Sequence, residues 1–516
     1  MSAEGYITDV AYIPGFYGNM APVLLRYAAT LNRVTPPRVA GGFRYLELGC
    51  GLGRTLTTLA AANPAGEFVG IDVNPEHTAA VGRQIAEGGL ANARVITADF
   101  AHLPPEVDGQ FDFITLHGIF SWVGPEVRDA ILAIARERLA PGGLLLVSYN
   151  AMPGWAHLQP IRGILRQYAA LRGGDSVQKV RDAVAYLTFL RDKHAAYFDD
   201  NPRAAASLDA LVRQDVRYVA HEYLNEHWTT FYFAEVAAAF RGAGLGFVGS
   251  LPVHTNFWDL CVRPEFQELF RTTGDRLITE AHKDFCANTS FRWDIYARSV
   301  AAMPAIEDRL READDLHFRV ARAGLTLPYS ANLGMVTSTA RGPLYEALVA
   351  LLSERSLRLS EILASSAGAG RPPAEVAHAL DAGVAMGLFE VTAGPVSTAR
   401  ADLTGAVRLT LPINAEVLRT EALRGRPVAL ASTVSGTGHL IGDLEAAILD
   451  ELVGRGRDGL ADRVDARLAA SGRLLQADGK PVTDEPQRKE LVSRFCRAFL
   501  DARLADLATM EILAPG

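Results

Sequence analysis

Glu47-Leu48-Gly49-Cys50-Gly51-Leu52-Gly53 follows a short apolar run, Tyr45-Leu46-Glu47-Leu48, and opens a helical stretch over 54–62. Glycine is needed where a backbone turns sharply and approaches a ligand closely, because a Cβ would collide. The helix that follows offers unpaired N–H groups to a polar ligand. A dinucleotide-binding turn reads G-x-G-x-x-G. Here the sixth position is Arg54, and the spacing is E-x-G-x-G-x-G. A carboxylate such as Glu47 beside the turn repels a pyrophosphate and suits a ligand that carries positive charge. A strand–turn–helix with no ligand is the competing reading of the string.

Outward from this stretch, apolar runs at 68–71, 94–97, 111–116 and 144–147 alternate with helical stretches such as 125–139. That alternation predicts a doubly wound, Rossmann-like α/β domain with a parallel sheet. Such sheets bind ligands beyond the carboxyl ends of their strands, and chemistry-bearing residues stand at those ends. Asp72, with Val73 beside it, closes the second strand and can accept both hydroxyls of a ribose. Asp99 ends the third and can accept from an adenine amino group, with Phe100 packing on the ring. Capping of a helix or turn is the alternative role for both aspartates. His117, Gly118, Phe120, Ser121 and Trp122 follow the fourth strand, where the reacting end of the ligand is expected.

The bulk numbers fit a soluble, globular chain. The 516 residues are 49% apolar and 21% charged, enough for two to four domains at roughly 100–200 residues each. A net charge of −8 gives no long-range reason to seek nucleic acid or anionic lipid. Cys50, Cys261, Cys286 and Cys496 form no CxxC pair, so reduced thiols in the cytoplasm are expected, without a disulfide framework or a metal site. Neither a signal peptide nor a membrane-spanning run is read in the sequence.

Residues 1–42, rich in aromatics and glycine (Tyr6, Tyr12, Gly15, Phe16, Tyr17, Gly18), are expected to cap the pocket. Residues 151–215 are expected to form a helical lid within a ligand-binding domain spanning 43–255. Segments 221–228 and 246–254 are read as two final strands flanking a helix over 233–242. A helical region over 256–340 is expected next. The stretch 341–420 carries three short helices (344–352, 359–365, 373–387) and two strands (388–391, 407–411) read as a pair, which suggests a winged-helix-like module. A helical domain over 421–516 follows. The candidate recognition helix, 373–387, has no Arg or Lys. A helix entering the major groove needs donors, so this module is expected to pack against protein, pair two subunits or buttress the rest.

The glycine turn and the strand-end residues together resemble a class I S-adenosylmethionine (SAM)-dependent methyltransferase. His117-Gly118-Ile119-Phe120-Ser121-Trp122, the run from Tyr149 to Trp155, His221-Glu222-Tyr223-Leu224 and the run from Asp284 to Arg292 are similar to motifs of bacterial methyltransferases with a methyltransferase regulatory domain. Relatives in that family methylate lysines of bacterial outer-membrane proteins. In place of a Thr-His-Pro pattern near the N-terminus, this chain has Gly18-Asn19-Met20-Ala21-Pro22.

The resemblance implies SAM as cofactor. Glu47 would meet its ammonium group, and Gly49, Cys50, Gly51, Gly53, Asp72, Val73, Asp99, Phe100 and His117 would line its site. The acceptor implied is a protein lysine. Trp122, Tyr149, Trp155 and Tyr17 are candidate walls of its pocket, and His117 or His221 a proton acceptor. A small-molecule N- or O-methyltransferase and a non-catalytic SAM-binding scaffold are the alternatives. The fourth strand lacks an Asn/Asp-Pro-Pro-aromatic end, which argues against methylation of nucleic-acid bases.

Overall fold

The computed structural model describes residues 15–322, 324–396, 403–477 and 479–516; Tyr6 and Tyr12 lie outside them. Helix α1 (Pro22–Leu31) precedes β1 (Phe43–Leu48), whose alternate residues feed two layers: Phe43 and Tyr45 enter one core, Leu46 and Leu48 the other. That two-sided burial is what a continuous apolar run in a parallel strand requires. Then come α2 (Arg54–Ala62), β2 (Gly66–Asp72), α3 (Pro75–Glu87), β3 (Ala93–Thr97), β4 (Phe111–Leu116), α4 (Pro125–Arg138) and β5 (Leu139–Asn150). Asn74 caps α3 by accepting from Glu76 N, and Pro75 and Pro125 occupy first turns where a missing N–H costs nothing.

The helical segment after β5, expected as a lid over 151–215, runs further than the sequence suggests. Helices α5 (Gln159–Ala170), α6 (Ser176–Asp192), α7 (Ala196–Asp200) and α8 (Pro202–Val212) continue into α9 (Val216–Tyr223). The expected strand over 221–228 is therefore the end of a helix and a loop. Val216, Val219, Ala220 and Tyr223 recur at helical spacing, and Asp215 caps the helix. Helix α10 (Phe233–Gly242) and strand β6 (Leu245–Leu251) match the expectation.

The other final strand lies elsewhere. Short helices α11 (Trp258–Cys261) and α12 (Gln267–Thr272) and the longer α13 (Arg276–Ala287) lead to β7 (Phe291–Arg298). Strand β7 inserts antiparallel between β5 and β6, giving the order β3-β2-β1-β4-β5-β7-β6. The sheet is thus mixed, and its domain extends past the expected boundary at 255. Two charges disguise the strand. Arg292 and Asp294, both buried, face one side and pair at 3.0 Å, with Glu280 and Asp284 of α13 completing the cluster.

Beyond the sheet, α14 (Ile306–Glu312) precedes β8 (His317–Val320), the hairpin β9 (Tyr329–Asn332) and β10 (Thr337–Ala340), α15 (Pro343–Glu354), β11 (Leu357–Arg358), α16 (Leu359–Ala364), α17 (Pro373–Ala385) and β12 (Phe389–Thr392). The three helices stand where expected, but the strand pair does not form. Strand β12 pairs with β8, and β13 (Val407–Leu409) pairs with Leu513–Pro515 at the chain end. The C-terminal module then adds α18 (Pro412–Glu421), the hairpin β14 (Val428–Ser432) and β15 (Thr437–Ile441), and further helices from α19 (Asp443–Leu452) onward. Its hydrophobic core includes Ala61 and Ala62 of α2, so it is built directly on the helix that follows the glycine turn. Helix α1 is also interior rather than a cap: Tyr27 donates to Asp381 of α17 at 2.9 Å and Arg26 pairs with Asp315. Among the described residues of the expected cap, Tyr17 reaches the rim of the sheet, beside Thr55 and His117.

Candidate functional site

The glycine turn curls back over the end of β2. Gly49 N and Cys50 N both donate to Ile71 O, at 2.8 and 3.0 Å. Gly49, Gly51 and Gly53 have φ of 73°, 52° and 70°, a left-handed region that side chains disfavour. A Cβ at Gly49 would strike Ile119 and one at Gly53 would strike Val81, whereas a Cβ at Gly51 would meet nothing within 4 Å. The turn is therefore packed on two sides and bare at Gly51.

Two carboxylates flank that bare backbone. Asp72 Oδ2 accepts from Gly51 N at 2.8 Å, its Oδ1 accepts from Asn74 N at 2.9 Å, and His77 Nδ1 lies 3.3 Å from Oδ1. Glu47 is only 4% exposed, and its Oε2 is buried with no hydrogen-bond partner among the described residues. Burial, and then the charge of Asp72, push its pKa up to about 8. A buried, unpartnered carboxylate is costly, and a cation at this spot would satisfy it. The bare Gly51 and orphaned Glu47 oxygen fit a ligand that brings both a polar sugar edge and an ammonium group. Cys50 is buried between them, and burial raises its thiol pKa. Val73 continues the rim, half-buried.

Asp99 and Phe100 stand at the end of β3. Asp99 Oδ1 accepts from His102 N at 2.8 Å, so it caps a turn as the alternative reading had it. Phe100 is half-buried and shares the neighbourhood of Gly49 with Ile119.

His117, just past β4, is sandwiched by aromatics. Its ring stacks on Trp293 at 4.2 Å and meets Tyr17 at 3.8 Å, while Phe291 stands edge-on at 6.0 Å. Its Nδ1 lies 2.7 Å from Ser148 Oγ. Burial pushes its pKa down to about 3. Burial thus favours the neutral ring near pH 7 and weakens it as the expected proton acceptor.

Several expected pocket residues lie elsewhere. Tyr149 is fully buried and donates to Asp294 Oδ2 at 2.6 Å. Strand alternation turns it to the face opposite Ser148, away from His117. Trp155 packs within the lid core against Tyr223 and Trp228. His221 is buried on α9 in the same lid. Trp122 is half-buried, its backbone N–H donating to Ile119 O, and no ring contact joins it to His117 among the described residues. Phe120 is core, and Ser121 Oγ accepts from Asn150 N at 2.8 Å.

The neighbour of His221 is better placed. Glu222 Oε1 accepts from Asn150 Nδ2 at 3.0 Å and Trp228 Nε1 at 3.2 Å, tying the lid to the end of β5. Burial raises its pKa, against the pull of those bonds. Tyr218, one helical turn earlier, has its own pKa raised by burial and by Glu222 and Tyr17. Tyr17, which meets both His117 and Trp293, thus lies within electrostatic reach of Tyr218, itself 41% exposed, and Tyr218 within reach of Glu222. Sequence reading quoted Glu222 and Asn150 within its motifs without giving them a role, and missed Tyr218, Ser148 and Trp293. Tyr218 and the role of Glu222 follow once α9 is read as a helix, which sets positions 218 and 222 on one face. Trp293 was hidden with its strand.

Comparison with known proteins gathers these features. A methyltransferase-domain model matches residues 46–143, and a model described as a predicted methyltransferase regulatory domain matches 215–298. An uncharacterised protein of Synechocystis sp. is 30% identical over 515 residues, covering 99% of each chain. An uncharacterised protein of Rickettsia prowazekii is 28% identical over 289 residues, 55% of this chain and 51% of its own. The solved structure of PKMT2 from Rickettsia typhi in complex with AdoHcy (S-adenosylhomocysteine) has a TM-score of 0.72 at 20% identity and covers 97% of this chain and 99% of that one. At that identity the likeness is one of fold.

Proposed function

Because the chain belongs to the class I SAM-dependent methyltransferases that carry a methyltransferase regulatory domain, we propose that it transfers the methyl group of SAM to the side-chain nitrogen of a lysine in a protein. SAM as donor and methyl transfer as reaction come with the family; the acceptor is the new part of the reading. A protein-binding role for the accessory half, including any winged-helix-like use of α15–α17, belongs to the same proposal, as does a cytoplasmic location.

In this reading Glu47 takes the ammonium group of the donor. The bare backbone from Gly49 to Gly53, with Cys50, lets it approach, and Asp72 with Val73 holds the ribose. Asp99, through its second oxygen, and Phe100 hold the adenine. Bound SAM supplies a methyl group already activated by a positive sulfur. The chain has to align the acceptor nitrogen and exclude water, and alignment can supply roughly 7–11 kcal/mol of a barrier. A lysine ammonium has no lone pair, so the site must also favour the neutral amine. Aromatic walls at Tyr17, Tyr218 and Trp293 desolvate it and lower its pKa, while Glu222, whose own pKa burial raises, attracts the cation on its way in and takes the proton it sheds. Neutral His117 orients rather than titrates.

The observation that carries the lysine reading is Glu222, a buried carboxylate among aromatic rings beside the rim, which suits a cationic acceptor. The whole-chain likeness to a protein lysine methyltransferase supports it. The test is incubation with methyl-labelled SAM and a cell lysate, followed by acid hydrolysis. Label in methyllysine of the protein fraction is expected. Label confined to the low-mass fraction would instead identify a small-molecule methyltransferase.

A further inference from the structure

The C-terminal module reaches the acceptor side of the site through the short arm before α1. Gly438 of β15 presses on this arm: a Cβ there would stand 2.7 Å from Phe16 Cζ and 2.8 Å from Thr58 Cγ2. On the other side of the arm, Tyr17 N donates to Thr55 Oγ1 at 3.1 Å. Thr55 belongs to the first turn of α2, whose leading residue, Arg54, is locked to the C-terminal module by Glu416 at 2.6 Å and Glu421 at 3.1 Å. The turn of the β14–β15 hairpin adds a bond from Asn63 Nδ2 to Gly436 O at 3.0 Å. Phe16 is thus held between α2 and the hairpin, and its neighbour Tyr17 lies 3.8 Å from the His117 ring.

We propose that the C-terminal module is a positioning element for the acceptor: its hairpin holds Phe16, and through it sets Tyr17 against His117 and Trp293. Phe16 and Gly438 act through Tyr17. Among the described residues no hydrogen bond ties either of them to the cradle at Glu47, Gly51 and Asp72, so the module should govern use of the acceptor more than donor binding. The inference rests on reading Tyr17 as an acceptor-side wall.

Two full-length variants test it, Phe16→Ala, which opens the clamp, and Gly438→Ala, which pushes the ring out; Phe16→Leu is the conservative control. Three readouts are compared: hydrogen exchange at the Tyr17 amide, calorimetric binding of AdoHcy, and transfer of labelled methyl from SAM to poly-L-lysine. The Tyr17 amide should exchange about tenfold faster in both variants, reporting local opening. AdoHcy affinity should hold, kcat/KM for poly-L-lysine should fall about tenfold, and Phe16→Leu should recover most of both changes. Unchanged exchange in both variants overturns the inference, as does loss of AdoHcy binding in step with transfer. If wild type labels neither poly-L-lysine nor lysate protein, the lysine reading is what fails; the exchange and AdoHcy data still decide the positioning role.

Discussion

Glu47 and Asp72 flank the same bare backbone, but only Asp72 is already held, by Gly51 N and Asn74 N. Its removal frees the turn as well as the ribose contact. Asp72→Ala should therefore weaken AdoHcy binding by about 10- to 100-fold, the scale of about 1.5–3 kcal/mol for a hydrogen bond to a charged group. Glu47 behaves differently, because its pKa of about 8 keeps it mostly protonated in the empty protein at pH 7. An arriving ammonium group favours the carboxylate, so binding should release protons near pH 7 and cease to do so well above pH 8. Titrations in buffers of different ionisation enthalpy would read this directly. The same group shapes stability. Between the ordinary carboxylate value, about 4.3, and about 8, the folded state binds more protons than the unfolded, so stability falls as pH rises through that window. Glu47→Gln should remove that decline: its melting temperature relative to wild type should climb from pH 5 to pH 8, while AdoHcy binding weakens.

At the scale of the element, β7 carries the clearest lesson. Strands β1, β2, β4 and β5 were legible because both faces are largely buried and the runs are apolar, and the half-buried edge strand β3 because Val95 and Ile96 stand between turn signals. Strand β7 is just as buried yet holds Arg292 and Asp294, and a charge in a strand pattern reads as surface. Their mutual pairing, with Glu280 and Asp284, makes the burial tolerable. A chain ended after residue 255 would leave β6 without the strand it pairs with, and should be recovered as unfolded or aggregated protein by circular dichroism. Tyr149 was misread for a related reason. Its position at a strand end suggested the pocket, but the alternation of β5 sends it into the charge cluster. Tyr149→Phe should cost about 1–3 kcal/mol in chemical denaturation, since Asp294 loses a buried donor, and leave AdoHcy affinity unaltered. The proposed donor side of the site was legible as a string because its residues follow one another at strand ends. The proposed acceptor side was not, because the residues assigned to it come from the arm, β4, β7 and α9, which only the fold brings together.

At the scale of the whole molecule, the two halves are joined at the glycine turn's own helix. Arg54 stands where a dinucleotide turn would have its third glycine, and its guanidinium is committed to Glu416 and Glu421 of the C-terminal module. Removing one partner of a buried pair leaves the other charge stranded, so Arg54→Met should destabilise by about 3–5 kcal/mol, and added Glu416→Gln and Glu421→Gln changes should restore part of it in thermal melts. The sequence could place an accessory half after the sheet but not say where it docks, since Arg54, Ala61 and Phe16 carry no mark of a distant partner. What joins all three scales is the proposed cradle of Glu47, Gly51 and Asp72 for a positively charged adenosyl donor. Calorimetric titration of the full chain with AdoHcy at pH 7, comparing wild type, Glu47→Gln and Asp72→Ala, tests it most directly. Saturable one-site binding with proton release in wild type, with release lost in Glu47→Gln and affinity weakened in both variants, is the expected result. Equal affinity across the three proteins, or binding without any proton release, would contradict the account.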